Sequence, residues 1–94
     1  MGTKRFEWDD NKAESNFLKH GIQFEEAVTV FAGPYLLFTE DSIHSQGEER
    51  EWAIGEMEDG SIVVVVFTMR GERIRIISAR KATKRECQQY ESGT

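Results

Sequence analysis

The chain has one cysteine, Cys87, among its 94 residues. An internal disulfide framework is therefore excluded, and a reducing cytoplasm is the expected setting. Cys87 falls on a charged, predicted helix with no local motif for reactivity, so it reads as a passive thiol. No apolar run approaches the roughly 18–20 residues of a membrane helix, and the N-terminus carries no signal-peptide pattern. Met1-Gly2 is not a myristoylation signal, because Phe6 stands where Ser or Thr is needed. Metal ligands are equally scarce. His20 and His44 are far apart, one Cys is available, and no acidic group has helical metal spacing. Neither a glycine-rich phosphate loop nor a nucleophile elbow is present. Repeats, low-complexity tracts and linkers are also missing, so a single domain over residues 1–94 is expected. A chain of this size buries roughly 60–65% of its unfolded surface. That supports one core and leaves little room for a deep pocket, so any active site is expected to be a shallow, charged surface.

Positive charge is the minority sign. Twelve Lys and Arg oppose seventeen Asp and Glu, for a net charge of -5 and a pI near 5.0. The chain is not one that coats nucleic acid over its whole surface. The charges are unevenly placed, however. Glu40, Asp41, Glu48, Glu49, Glu51, Glu56, Glu58 and Asp59 gather in one stretch with Arg50 alone against them. Arg70, Arg73, Arg75, Arg80, Lys81, Lys84 and Arg85 gather in the next, around Glu72. Such a dipolar chain can turn a cationic face to one partner and an anionic face to another, and phosphate is the anion that best fits the cationic one.

The periodicity lays out the elements. Arg5 to Trp8 alternates as a short strand or extended lead-in. Asp9 or Asp10 is an N-cap for a helix over about Asn11 to His20, with Ala13, Phe17 and Leu18 expected on its buried side. Lys19 and His20 fall in its last turn, where positive charge suits the dipole, and Gly21 ends it. Phe24, Ala27, Val28 and Phe31 form one stripe of a second helix, ended by Gly33-Pro34. Tyr35 to Thr39 reads as a strand, Glu40 to Glu49 as a loop, and Arg50 to Met57 as a second strand. Asp59-Gly60 marks a hairpin. Ile62 to Phe67 is apolar at both parities and belongs in the centre of a sheet, covered on both faces. After a turn at Gly71, Arg73 to Arg80 forms the last strand. Thr83 and Glu86 make a capping box for a helix over about Lys84 to Glu91. The expected class is α+β: two N-terminal helices on a four-stranded antiparallel meander, then a C-terminal helix.

Several of these segments together resemble one family. They are Phe6-Glu7-Trp8-Asp9, Asn11-Lys12, Lys19-His20-Gly21, Phe24 to Ala27, Phe31, Gly47 to Arg50, Ile54-Gly55, Val64 to Thr68 and Arg73 to Arg80, continuing to Tyr90. In this order they resemble the BrnT toxins, one half of a bacterial type II toxin–antitoxin pair. The resemblance implies a RelE-like fold and a ribonuclease that slows translation and growth. It also implies neutralisation by a BrnA antitoxin, a DNA-binding protein that represses the operon with toxin bound, so that DNA is met only through the antitoxin in a hetero-oligomer. Gln23 and Cys87 depart from the family pattern, as does the overall acidity.

RNA cleavage without a metal or other cofactor needs a base for the ribose 2′-OH, cations for the pentacoordinate phosphate and an acid for the leaving 5′ oxygen. Arg73, Arg75 and Arg80 are the candidates for phosphate, since a guanidinium binds two oxygens and stays charged. Strand alternation puts Arg73 and Arg75 on one face and Arg80 on the other, unless a bulge at Ser78 or Ala79 intervenes. Otherwise Arg80 is expected in a structural ion pair. Lys19 and His20 are the candidates for proton transfer, imidazole being the side chain that changes charge near neutral pH. His20 has the alternative of bonding a carbonyl at its helix end. Lys81 and Arg85 are expected to steer RNA. Arg50 either touches RNA or pairs with an acid, and Tyr90 either stacks on a base or anchors the last helix. Trp8, Trp52 and Phe67 are expected in the core. The competing functions are a non-catalytic module that binds an antitoxin, and a small RNA-binding domain.

Overall fold

The computed structural model describes residues 5–32, 36–40 and 50–92, the stretch 36–40 as backbone alone. The Gly33-Pro34 turn, the strand start at Tyr35, the loop beyond Glu40 and the chain end at Gly93-Thr94 lie outside the described residues. The described elements are β1 (Phe6–Glu7), α1 (Asp10–His20), α2 (Phe24–Ala27), β2 (Leu36–Glu40), β3 (Glu51–Glu56), β4 (Ile62–Arg70), β5 (Arg73–Lys81) and α3 (Lys84–Ser92).

Local chemistry accounts for the helix ends. The Asp9 carboxylate accepts from the Lys12 N–H at 3.0 Å, filling one of the free donors at the start of α1. Gly21 closes the helix at φ 73°, its N–H reaching the Phe17 carbonyl at 2.8 Å. The second helix is shorter than its apolar stripe predicts: four α-helical residues run into a 3-10 segment, Val28–Ala32. Its start is secured by Glu26, whose carboxylate accepts from the Gln23 N–H at 3.1 Å. At the other end of the chain the capping box forms as expected. The Glu86 N–H donates to Thr83 Oγ1 at 3.1 Å, and the Thr83 N–H donates to Glu86 Oε1 at 2.8 Å.

The sheet is mixed, which corrects the all-antiparallel expectation. Its order is β1-β5-β4-β3-β2. The meander β2 to β5 is antiparallel, but β1 joins the outer edge of β5 in parallel, Phe6 opposite Ile74 and Glu7 opposite Arg75. β4 is central: Val63, Val64 and Val65 are fully buried, so both faces are covered. One face carries Ala53, Val63, Val65, Phe67, Ile76 and Ala79, and packs on Phe24, Ala27 and Val30. Phe31 bridges Phe6 and Phe67, each at 5.3 Å between ring centroids, and Trp8 meets Phe24 edge-on at 5.8 Å. The opposite face carries Ile54 and Val64 beneath Tyr90 of α3, with Trp52 and Ile62 beside them.

The buried side of α1 is only partly the expected one: Ala13 packs against the core. Phe17 and Leu18 are 44% and 80% exposed, and the residue that goes inside is Asn16. Its amide nitrogen donates to the Ala79 carbonyl at 2.9 Å and to the Ile22 carbonyl at 3.2 Å, and its oxygen accepts from the Ala79 N–H at 3.1 Å. β1 pairs with β5 only at Ile74 and Arg75. Further along, the outward N–H and C=O of Ala79 have no strand to pair with. The Asn16 amide supplies both groups of a missing peptide, which satisfies the edge of β5 and fixes α1 upon it.

Candidate active site

The pairing of β4 with β5 is the feature that shapes the site. Val63 to Val66 pair with Lys81 to Ser78, and Phe67 to Arg70 pair with Ile76 to Arg73. Ile77 is thus passed over, a β-bulge that shifts the alternation by one residue. Partners across a sheet share a face, so Arg73, Arg75, Ser78 and Arg80 lie with Arg70, Thr68, Val66 and Val64 on the face away from the core helices. The bulge falls one residue before the positions expected for it, and it puts all three arginines on one face.

The bulge also borders a groove of about 320 Å³ between α1 and β5. Ile77 and Ser78 form its strand side. Asn11, Lys12, Ser15, Asn16, Lys19 and His20 form its helix side. Residues 12, 15, 16 and 19 recur at helical spacing, so one flank of α1 faces the groove. Lys19 and His20 are therefore brought beside Ser78, which has Arg75 and Arg80 as its neighbours on the same face of β5. Asn16 positions this arrangement, and its only signal in the sequence is a polar residue at a core-spaced position.

The arginines have distinct surroundings. Arg75 is half-buried, and its Nη1 donates to Glu7 Oε2 at 3.0 Å. Glu7 sits opposite it in the parallel pair and holds the guanidinium in place, leaving its other donors free of that bond. Arg73, more exposed, reaches the same carboxylate at 3.8 Å. Arg80 is committed elsewhere. Its Nη1 and Nη2 donate to the two oxygens of Glu86 at 2.8 and 2.9 Å, and its guanidinium lies 5.3 Å from the centre of the Trp52 ring. This fork holds the Glu86 carboxyl down at about 2, helped by the Thr83 N–H, and raises Arg80 in turn. The ion pair that the sequence offered as the alternative for Arg80 is the one formed.

The remaining candidates are dispersed. Tyr90 is buried against Ile54 and Val64, so it anchors α3 and presents no open ring for a base. Of the two roles expected for it, stacking on a base or anchoring the helix, its burial fits the anchor. Lys81 is exposed at the far end of β5, near enough to Asp59 to add to the lowering of that carboxyl's pKa, which is due first to hydrogen bonds from Ser61. Arg85 is exposed on α3, and Arg50 is half-buried immediately before β3. Trp8 and Phe67 pack in the main core and Trp52 on the second face. Among the described residues no three His, Cys, Asp or Glu side chains gather so as to hold a metal ion, and no helix is long and apolar enough to cross a membrane.

The arrangement can bind a phosphodiester by its arginines and offer an amine and an imidazole from α1. Residues 8–86 match the family model described as ribonuclease toxin, BrnT, of type II toxin–antitoxin system. No curated protein matches the chain. Among solved structures, the crystal structure of the Brucella abortus ribonuclease toxin BrnT is similar at a TM-score of 0.63 and 26% identity, over 82% of this chain and 94% of that one. The match covers α1, the bulged strand and the capping box, and on that ground the chain belongs to the BrnT family of ribonuclease toxins of type II toxin–antitoxin systems.

Proposed function

We propose that the chain is a metal-independent endoribonuclease that cleaves RNA by in-line attack of the ribose 2′-OH, and that it works at the groove between α1 and β5. The observation that carries this reading is the β-bulge at Ile77, which turns Ser78 onto the face of Arg73 and Arg75, while Ser78 also lines the groove with Lys19 and His20. Lys19 and His20 move the protons: one from the 2′-OH as it attacks, one to the 5′ oxygen as it leaves. The P–O5′ bond breaks as the P–O2′ bond forms, giving a 2′,3′-cyclic phosphate and a free 5′-OH. Arg75, oriented by Glu7, and Arg73 offset the charge that builds on phosphorus, a role worth on the order of 10²–10³ in rate per donor. Arg80 in this reading does not touch phosphate; it fixes α3 through Glu86. Arg50, Lys81 and Arg85 steer the strand.

The toxin in this reading acts in the cytoplasm, has a RelE-like fold, and inhibits translation and growth by destroying RNA. A BrnA-type antitoxin neutralises it by covering the basic face, and through its own DNA-binding part represses the operon. The test is incubation of purified protein with total RNA in EDTA, beside folded Arg75→Ala and His20→Ala variants. Cleavage by the wild type, reduced at least a hundredfold in the variants, is the expected result. Intact RNA in every lane, with tight binding of the antitoxin, refutes the reading in favour of a non-catalytic partner.

A further inference from the structure

At the tip of the β4–β5 hairpin, away from the α1 groove, lies a second basic depression. Arg70 and Arg73 are the register partners that flank the two-residue turn Gly71-Glu72. Gly71 takes φ 61°, as the first central residue of a tight hairpin turn requires. A third guanidinium, Arg5, comes in from the chain just before β1. Arg5, Met69, Arg70, Glu72 and Arg73 together line a groove of about 750 Å³. All five residues are exposed, Met69 by 49%. Arg73 also reaches Glu7 at 3.8 Å, and the three guanidinium groups line one exposed groove at the end of the arginine row on β5.

We infer that this groove is a second phosphate subsite, which holds the backbone of the RNA strand flanking the cleaved linkage. The inference rests on the ribonuclease reading for its choice of ligand. Arg73 belongs both to the groove and to the arginine row on β5, so the two sites are continuous. From Arg73 to Ser78 the strand runs roughly 15 Å at about 3.3 Å per residue, farther than one nucleotide reaches. A strand bound at Ser78 therefore has to continue across the hairpin tip or leave the protein. The chain's net charge of -5 repels RNA elsewhere, so contacts on the basic hairpin determine how firmly a long strand is held. Met69 adds an apolar surface beside the phosphate contacts.

The experiment measures binding, apart from cleavage, of 2′-O-methyl RNA, which lacks the nucleophile. A short and a long oligonucleotide are titrated by fluorescence anisotropy at several salt concentrations. Wild type is compared with Arg5→Gln, Arg70→Gln and the charge-keeping Arg70→Lys. The expected result is tighter binding of the long strand by the wild type. Each Gln variant is expected to lose that advantage and to lower the slope of log affinity against log salt by about 0.7, one contact's worth for a single strand. Arg70→Lys retains most of the slope. Unchanged length and salt dependence in the Gln variants overturns the inference, as does a wild type that binds neither strand. Loss of antitoxin affinity with RNA binding intact also overturns it, and assigns the groove to a protein partner. A wild type that binds the long strand through these arginines yet leaves ordinary RNA uncut refutes the ribonuclease reading and upholds the subsite.

Discussion

Replacing Asn16 by Ala tests how α1 is fixed to the sheet. The substitution strips partners from three backbone groups at once, the N–H and C=O of Ala79 and the C=O of Ile22. An unsatisfied buried polar group costs about 1–3 kcal/mol. Asn16 also lines the groove, so water can reach part of the space its amide leaves. The low end applies, about 1 kcal/mol for each group and roughly 3 kcal/mol in total. For a domain of this size that lowers Tm by about 12–24 °C, at 4–8 °C per kcal/mol. Asn16→Asp sharpens the test. A carboxylate still accepts from the Ala79 N–H but faces two carbonyl oxygens to which it has nothing to donate. Its carboxyl would be held protonated in the folded state, so the folded pKa lies above the unfolded one. The variant therefore regains stability as pH falls through that raised value and is weakest at neutral pH. Urea unfolding followed by far-UV circular dichroism at pH 5 and pH 7.5 reads both effects. A loss below about 0.5 kcal/mol in Asn16→Ala, the range of a surface substitution, would show that the amide does not carry the α1–β5 contact.

Other outcomes follow from neighbouring contacts. Glu86 is held at about 2, below its usual value of 4.5, by Arg80 first and by Thr83. Because the folded pKa is the lower one, this stabilisation is complete above about pH 4.5 and fades as pH falls toward 2. Glu86→Gln is thus expected to cost about 2–3 kcal/mol at pH 7, and next to nothing at pH 2, in urea titrations at the two pH values; an equal loss at both would contradict the assignment. Glu7→Gln releases Arg75 and Arg73 from their shared carboxylate. With one fewer negative charge in front of the phosphate, affinity for uncleavable RNA is expected to rise by about 0.5–1 kcal/mol, measured by anisotropy; a weaker complex would show that Glu7 is needed to orient Arg75 for binding itself.

What the sequence disclosed and what it hid divide along the range of the forces involved. Helix ends were legible because Asp9, Gly21, Thr83 and Glu86 act on backbone groups within a few residues. The central strand was legible because Ile62 to Phe67 is apolar on both parities. The parallel partnership of Glu7 with Arg75 was not, since it joins a two-residue strand to one 68 positions away, too short a stretch to carry a pattern. The inward turn of Asn16 was hidden for a related reason. Hydrophobic spacing favours Phe17, but the bare edge of β5 needs a side chain with both a donor and an acceptor, and a phenyl ring has neither. Strand alternation separated Arg80 from Arg73 and Arg75, a count valid only for an unbroken ladder. Ile77 breaks it, and Arg80 joins the face of Arg73 and Arg75 because of that one passed-over residue. Family membership is legible because the matched segments span nearly the whole chain, whereas no single one of them identifies the residues that move protons.

The most direct test of the account is cleavage, in EDTA, of a short RNA of defined sequence, beside the same RNA with a single 2′-deoxy sugar at the cleaved linkage. The account predicts a 2′,3′-cyclic phosphate and a 5′-OH at the cut in the first, and an uncut linkage in the second. Scission at the deoxy position, or activity that EDTA abolishes and a divalent ion restores, would contradict it.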